Sequence, residues 1–407
     1  MLLVKKDVFM PTTEQKIIFG YMGYAAYKLW NVGNYEKLNY KKLGMTAFPN
    51  WYDQKKRLKD NFFYKNLPSQ TAQDVLQQLQ EAWVSFFTLK KTGGVVNPKP
   101  PRFKHQNMSI TFLKNAIVQS PGYVRLSIPI QLKHYLKSQG TDANYIYLKT
   151  KRFSDIHIKE LQIKFDKRSY TAIAVYEVPD IIPKFDNGHF LSIDLGINNN
   201  FTCYDSDGKT FILTNLLNIT HYFDKKIAHL QAISDRQQNA QGIQYPKKTK
   251  RELSLYRKKK NSVDDYVHKA TRYIVNYCIQ NHVHTIVIGD ITNIRQNKDI
   301  GRSNQQLHSF PFYKIYQKLE YKAKLASINF IKIKESYSSQ CPPDSINVSK
   351  KYAVKQNRIK RGLYICNGNI FNADCVGAYN ILRLYLHTIK KDYPAYKMLS
   401  NPLKVAV

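Results

Sequence analysis

The chain has 407 residues, enough for two or three domains with their own cores, and 43% of them are hydrophobic, which excludes a disordered tail. Its 63 Lys and Arg outnumber 29 Asp and Glu, a net charge of +34 spread over the whole length; this points to a polyanion held in grooves and not to an ordinary soluble surface. The five cysteines (Cys203, Cys278, Cys341, Cys366, Cys375) are too scattered for a disulfide framework, and no segment has signal-peptide or membrane-span character, so a cytoplasmic protein without a membrane partner is expected.

Residues 2–10 read as a strand, and Pro11-Thr12-Thr13-Glu14 opens a helix with threonine caps available. Helical spacing continues to about residue 90. It is clearest in LPSQTAQDVLQQLQEAWVSFF, 67–87, where Val75, Leu79, Ala82, Trp83, Phe86 and Phe87 share a face, as in a bundle helix. TGGVVNPKPPRFK, 92–104, is a Gly/Pro-rich break. Beyond it VRLSIPI, YIYLKTKRF, IHIKELQIKF and TAIAVYEV alternate apolar and polar, so 105–182 is expected to form a small β-barrel joined by the first strand. Residues 12–104 would then be a helical insert.

After a linker at 181–188, FLSIDLGINNNFTCYDSDGKTFIL reads as three short strands. Helices at 215–238 and 249–283, the strand HTIVIGD, an amphipathic helix at 311–327, the strand NFIKIKE, an irregular basic segment and a helix at 375–391 follow. Three strands and then helix-strand-helix-strand-helix is the order of an RNase H-like α/β domain.

Asp194 ends a hydrophobic strand in SIDLG, and Asp374 starts a helix in NADCVGAYNIL. Either aspartate by itself reads as a turn or cap residue. Together, across an α/β pattern, they favour a shared metal site, because phosphodiester cleavage uses acceptor-only oxygen ligands for Mg²⁺. Two ions about 4 Å apart would stabilise both the attacking and the leaving oxygen.

SIDLGINN, the strand ending in Gly289-Asp290, LEYKAKLASI, ESYSSQC and FNADCVGAYNILR resemble the three RuvC motifs of the TnpB family, relatives of compact type V CRISPR nucleases and of Fanzor. LPSQTAQDVLQQL and KPPRFK are similar to that family's N-terminal half, so the resemblance spans nearly the whole chain. It implies a multidomain α/β protein: an N-terminal wedge-type β-barrel (1–11 and 105–182) with a helical recognition insert (12–104), then an RNase H-like RuvC nuclease domain (189–407). It further implies an RNA-guided, Mg²⁺-dependent DNA endonuclease of a bacterial insertion sequence. Its partners would be a guide RNA encoded beside the gene and double-stranded target DNA, cut next to a short adjacent motif. Mn²⁺ is the alternative ion. The rival readings are a guided binder that does not cut and a transposase acting directly.

Two departures from the family stand out. Gly289 occupies the position of the second catalytic glutamate. Asp290 should point to the opposite face. Glu320, with Lys324 one turn on, reads as a solvent-face pair. Glu335 ends FIKIKE on the same face as Ile331 and Ile333, an apolar face that is an odd home for an idle charge. The helix between the two strands makes a crossover, so they should be parallel neighbours about 4.8 Å apart, close enough to share a metal. A relocated glutamate is also known in Fanzor and some TnpB proteins. The expected ligands and catalytic residues are therefore Asp194, Glu335 and Asp374.

The second departure is the zinc knuckle expected within 336–372. Its Cys-x-x-Cys pairs read Cys341-Pro-Pro-Asp344 and Cys366-Asn-Gly-Asn369, without an intervening His. Structural zinc takes four N or S ligands, so no structural zinc is expected. SKKYAVKQNRIKRG, 349–362, reads as a basic loop near nucleic acid, with a solvated turn as its rival; Cys375 reads as helix packing. YPKKTKRELSLYRKKK, 245–260, suits phosphate contact, and some of the 30 Tyr and 20 Phe could stack on unpaired bases.

Overall fold

The computed structural model describes residues 1–93, 95–165, 169–183, 185–292, 304–360 and 362–407. Contacts divide the chain into two compact units, Met1–Asp180 and Ile181–Val407. The division falls in the segment read as a linker.

In the first unit, β1 (Leu2–Phe9) leads into α1 (Thr13–Leu38). Thr12 caps α1 by a reciprocal box: its side chain accepts from the Gln15 amide, and the Gln15 side chain accepts from the Thr12 amide. The short helices α2 (Trp51–Arg57) and α3 (Phe62–Lys65) precede α4 (Ser69–Thr92). Val75, Leu79 and Trp83 of α4 are buried as the spacing predicts, whereas Phe87 at its end is 45% exposed. Trp83 Nε1 donates to Asn34 Oδ1 of α1 at 2.9 Å, which ties the two long helices together.

The strands of this unit are β2 (Ile110–Leu113), β3 (Ile117–Ser120), β4 (Tyr123–Ser127), β5 (Tyr145–Lys149), β6 (Ile158–Phe165) and β7 (Tyr170–Glu177). They pair as two sheets, β1-β7-β6-β2 and β3-β4-β5. The first strand joins through β7, antiparallel, with Leu2 opposite Glu177. A short helix, α5 (Ile130–Ser138), interrupts the strands after Pro129; the alternating pattern gave no hint of it. The run YIYLKTKRF stays extended only to Lys149, and Phe153 turns into the core. One continuous core runs from Phe19 and Leu29 of α1 and Leu76 of α4 to Phe112 of β2 and Leu161 of β6.

The second unit is built on a six-stranded sheet from β8 (Phe190–Asp194), β9 (Phe201–Asp205), β10 (Thr210–Leu213), β11 (Thr285–Gly289), β12 (Asn329–Ile333) and β15 (Leu403–Val405), ordered β12-β11-β8-β9-β10-β15. Two long helices, α6 (Leu216–Ala240) and α7 (Lys250–Gln280), connect β10 to β11. α8 (Asn304–Ser309) and α9 (Phe312–Leu325) lead to β12, and a hairpin of β13 (Leu363–Cys366) and β14 (Asn369–Asn372) leads to α10 (Ala373–Thr388). β8, β11 and β12 are parallel neighbours, with Gly289 opposite Ile333. The final strand β15, parallel to β10, was not foreseen.

Alternation along these strands sorts side chains onto two faces. Leu191, Ile193, Ile286 and Ile288 join a core with α7 and α9. Phe190 and Val287 face the other way and pack with α10, joined by Ile331 and Ile333. Positions 194 and 289 therefore fall on the α10 side. Among the described residues, no helix is long and apolar enough to cross a membrane.

Candidate active site

Asp194 closes β8 on the face that α10 covers. The helix is drawn in close: Ser192 Oγ, on the same face, donates to the Ala378 carbonyl at 2.7 Å. Gly377 makes this approach possible, since a Cβ there would lie 2.6 Å from Asp194 Oδ2. Asp374 stands one turn earlier, in the first turn of α10. The cap of that helix is Asn372, whose side chain accepts from the amides of Asp374 and Cys375 at 3.0 and 3.3 Å. The capping role open to Asp374 from sequence is thus filled by its neighbour, and its carboxylate projects elsewhere. Oδ2 accepts from Asn199 Nδ2 at 2.7 Å and Oδ1 from Arg358 Nη2 at 3.2 Å.

Glu335 lies two residues past the end of β12 and not within it, as the sequence reading had placed it. Its side chain turns back over β11. A Cβ built on Gly289 would overlap Glu335 Oε2, stand 3.0 Å from Glu335 Cδ and touch Ile381 of α10. The carboxylate of residue 335 thus fills the space that a side chain at 289 would need. The end of β11 is itself pinned, because Tyr316 of α9 donates its hydroxyl to the Gly289 carbonyl at 2.7 Å and accepts from the Ile291 amide at 3.1 Å.

The three acids named from sequence act on one another. Burial first, then the carboxylates of Glu335 and Asp374, push the Asp194 carboxyl well above the usual carboxylate range, while Arg358 acts in the opposite sense. Among the described residues, no group of three or more His, Cys, Asp or Glu is drawn together tightly enough to form a ready-made metal cluster. The donor set nevertheless suits a hard divalent cation, being carboxylate oxygen throughout. The missing Cβ atoms at 289 and 377 leave room for two of the carboxylates. Asp290 belongs elsewhere: its Oδ1 accepts from Thr292, and the side chain sits beyond β11. Glu320 is exposed on α9.

Sequence reasoning missed the residues that orient Asp374. Asn199 sits in the GINNN turn, which Asn200 holds from below. Its Oδ1 accepts from the Leu216 amide and the Tyr266 hydroxyl, and its Nδ2 donates to the Ile197 carbonyl. Arg358 comes from the basic loop 349–362, of which Arg361 lies outside the described residues. The tripled asparagine after SIDLG was the available signal for the first; no local pattern marks the second.

Two clefts have none of these acids in their lining. One of about 630 Å³ in the first unit is lined by Tyr21, Tyr24, Phe62, Leu132 and Tyr135, with no carboxylate or thiol. The other, about 540 Å³, lies between α6 and α7, where Lys225, Lys226, Arg251 and Lys258 rim Leu230 and Leu255.

Comparison with known proteins finds similarity over most of the chain. The OrfB_IS605 family profile, described as "Probable transposase", matches residues 173–295, and the Cas12f1-like TNB domain matches 312–381. TnpB-like protein ORF457 of Acidianus two-tailed virus is 24% identical over 350 residues, 79% of this chain and 74% of that protein. The CRISPR-associated endodeoxyribonuclease Cas12f1 of Sulfoacidibacillus thermotolerans is 37% identical over 123 residues, 30% of this chain and 27% of that protein. A cryo-EM structure of a Cas12f1–sgRNA–target DNA complex superposes with a TM-score of 0.58 at 15% identity, over 91% of this chain and 83% of that one.

The fold, mixed α/β, is therefore similar to that of the Cas12f1 chain in this complex. Parts of the chain are thus similar to TnpB-type transposases and to Cas12f1, the first over 173–295 and the second over 312–381.

Proposed function

We propose that this protein is an RNA-guided DNA endonuclease. In this reading the six-stranded sheet with helices on both faces is an RNase H-like RuvC nuclease domain. The two sheets of the first unit form a wedge-type barrel, and the helices between residues 13 and 92 form its recognition insert. Guide RNA and double-stranded target DNA are its partners. The net charge of +34 supports a polyanionic partner, and so does the cationic cleft between α6 and α7.

Asp194, Glu335 and Asp374 would hold divalent metal, Mg²⁺ or Mn²⁺. Bound there, such an ion supplies an activated water and offsets charge on the phosphate under attack. The chain's own groups do the rest. Asn199 fixes the direction in which Asp374 presents its lone pairs. Tyr316 holds the end of β11, against which Glu335 lies. Arg358, at the edge of the acids, offers a guanidinium matched to a phosphate oxygen.

The observation that carries the proposal is the Glu335 carboxylate in the space above Gly289. A site merely decaying after loss of a glutamate has no reason to return an acid to the same place. The test is to purify the protein with its RNA and offer matched DNA with Mg²⁺. Guided cleavage is expected, and Glu335→Ala should lower its rate at least about 100-fold with guided binding retained. Tight guided binding without cleavage in Mg²⁺ or Mn²⁺ would instead establish a non-cutting binder.

A further inference from the structure

The family's knuckle crosslinks two turns through a metal, and the residues here do not fit that task. The four knuckle positions are Cys341, Asp344, Cys366 and Asn369. Cys341 Sγ donates to the Ser349 carbonyl at 3.3 Å. Asp344 Oδ2 accepts from Asn367 Nδ2 at 2.6 Å, so one turn is bonded to the other without an intervening ion.

A different crosslink comes from α10. Asn380 and Arg383 are 0% and 1% exposed, one turn apart and joined by Arg383 Nη1 donating to Asn380 Oδ1 at 2.9 Å. Asn380 Nδ2 donates to the carbonyls of Ser338 and Cys341 at 2.7 and 2.8 Å. Arg383 Nη1 donates to the Pro342 carbonyl at 3.1 Å and to Ser345 Oγ at 3.3 Å, and Nη2 donates to the Ser345 carbonyl. The guanidinium has ring faces near it, Tyr393 at 5.0 Å and Tyr379 at 5.6 Å. A buried arginine that spends its donors on the carbonyls of one loop is a rigid brace for that loop, because its fork is planar and preorganised.

The braced loop begins at the candidate acid. Ser338 donates to the Glu335 carbonyl through its amide at 3.3 Å and its hydroxyl at 3.0 Å, and its own carbonyl is the one held by Asn380. Helix α10 therefore carries Asp374 at one end and, two to three turns on, the pair that anchors the loop leaving Glu335.

We propose that the Asp344–Asn367 bond between the two turns, with Asn380 and Arg383 bracing the first turn on α10, replaces the structural zinc of the knuckle, and that Arg383 is a positioning residue for Glu335. The link to Glu335 rests on the nuclease reading above; the replacement of zinc does not. Metal analysis of the purified chain should find far less than one zinc per chain, and a zinc-selective chelator should leave the melting temperature within about 1 °C of the untreated value. Stoichiometric zinc, or melting lowered by the chelator, overturns the proposal.

Arg383→Met keeps much of the stem and removes every donor. Hydrogen exchange across 338–349 should accelerate at least about tenfold, and the Mg²⁺ concentration for half-maximal cleavage should rise about tenfold while guided binding persists. Unchanged exchange in that segment, or a smaller active fraction with the same Mg²⁺ dependence, refutes the positioning role. Adding Asp344→Cys and Asn369→Cys to this variant, with one equivalent of zinc, should restore the protection, even where Arg383→Met by itself does not fold. Failure of zinc to restore it counts against the replacement. Metal content and exchange are read without cleavage, so failure of the nuclease reading would be recognised separately.

Discussion

Gly289 and Glu335 share one space: the carboxylate of the second lies where a side chain of the first would begin. Parallel pairing of β11 with β12 puts Gly289 opposite Ile333, and the chain then carries two residues further before Glu335 folds back. The obstructing atoms are mostly the tip of a flexible side chain. Gly289→Ala should therefore unfold little and act on the site. Cleavage should drop about 10- to 100-fold, equivalent to about 1–3 kcal/mol of barrier, with little change in melting temperature. Gly289→Glu combined with Glu335→Ala should recover part of the rate lost in Glu335→Ala. If the double variant is no faster than that single variant, the two positions do not serve one ligand site.

Gly377 offers an independent test on the other side of the site. A methyl there would stand 2.6 Å from Asp194 Oδ2, so Gly377→Ala must displace the carboxylate. Alanine is the better helix former by about 1 kcal/mol, so α10 itself gains. Cleavage should fall at least about tenfold while thermal stability holds or rises. Full activity in this variant would mean that the position of Asp194 is not critical.

Alkaline pH should act on the second unit through a buried thiol. Burial first, then Asp205, pushes the Cys278 thiol far above its ordinary value. A folded value raised above the unfolded one gives stability that is complete below the unfolded pKa and is lost as pH rises beyond it. The loss for Cys278 should reach about 1 kcal/mol by pH 9.5. Lys322, lowered to about 8 mainly by burial, acts in the opposite sense, so the comparison must be made against a variant. Denaturant unfolding at pH 7.5 and 9.5 should give a smaller alkaline loss in Cys278→Ala by about that amount. An equal loss in both proteins would rule out the thiol as its source.

The cationic cleft between α6 and α7 predicts salt dependence. If Arg251 and Lys258 each neutralise a phosphate, Arg251→Gln with Lys258→Gln should reduce the slope of log affinity against log salt by about 2, equally for matched and mismatched DNA. An unchanged slope would remove the cleft from the binding path.

Several features were legible from the sequence because they are local or periodic. Alternation in FLSID and HTIVIGD marks their two faces, and a crossover helix makes β11 and β12 parallel. Threonine before α1 marks its start. Misses came where distant segments decide. α5 follows Pro129 inside a run that alternates like strand, and β15 forms because β10 offers an open edge. Arg358 reaches Asp374 from an irregular loop whose path no spacing encodes.

Sequence by itself marked three candidate acids, their order along the chain, and the face of the sheet that positions 194 and 289 share, since a period of two residues is a property of the backbone. Tertiary structure decided which acid enters the space over Gly289 and what holds it there. Close approach between elements depends on atoms absent at 289 and 377 and on a brace from α10, and volumes of that kind exist only after the layers have packed.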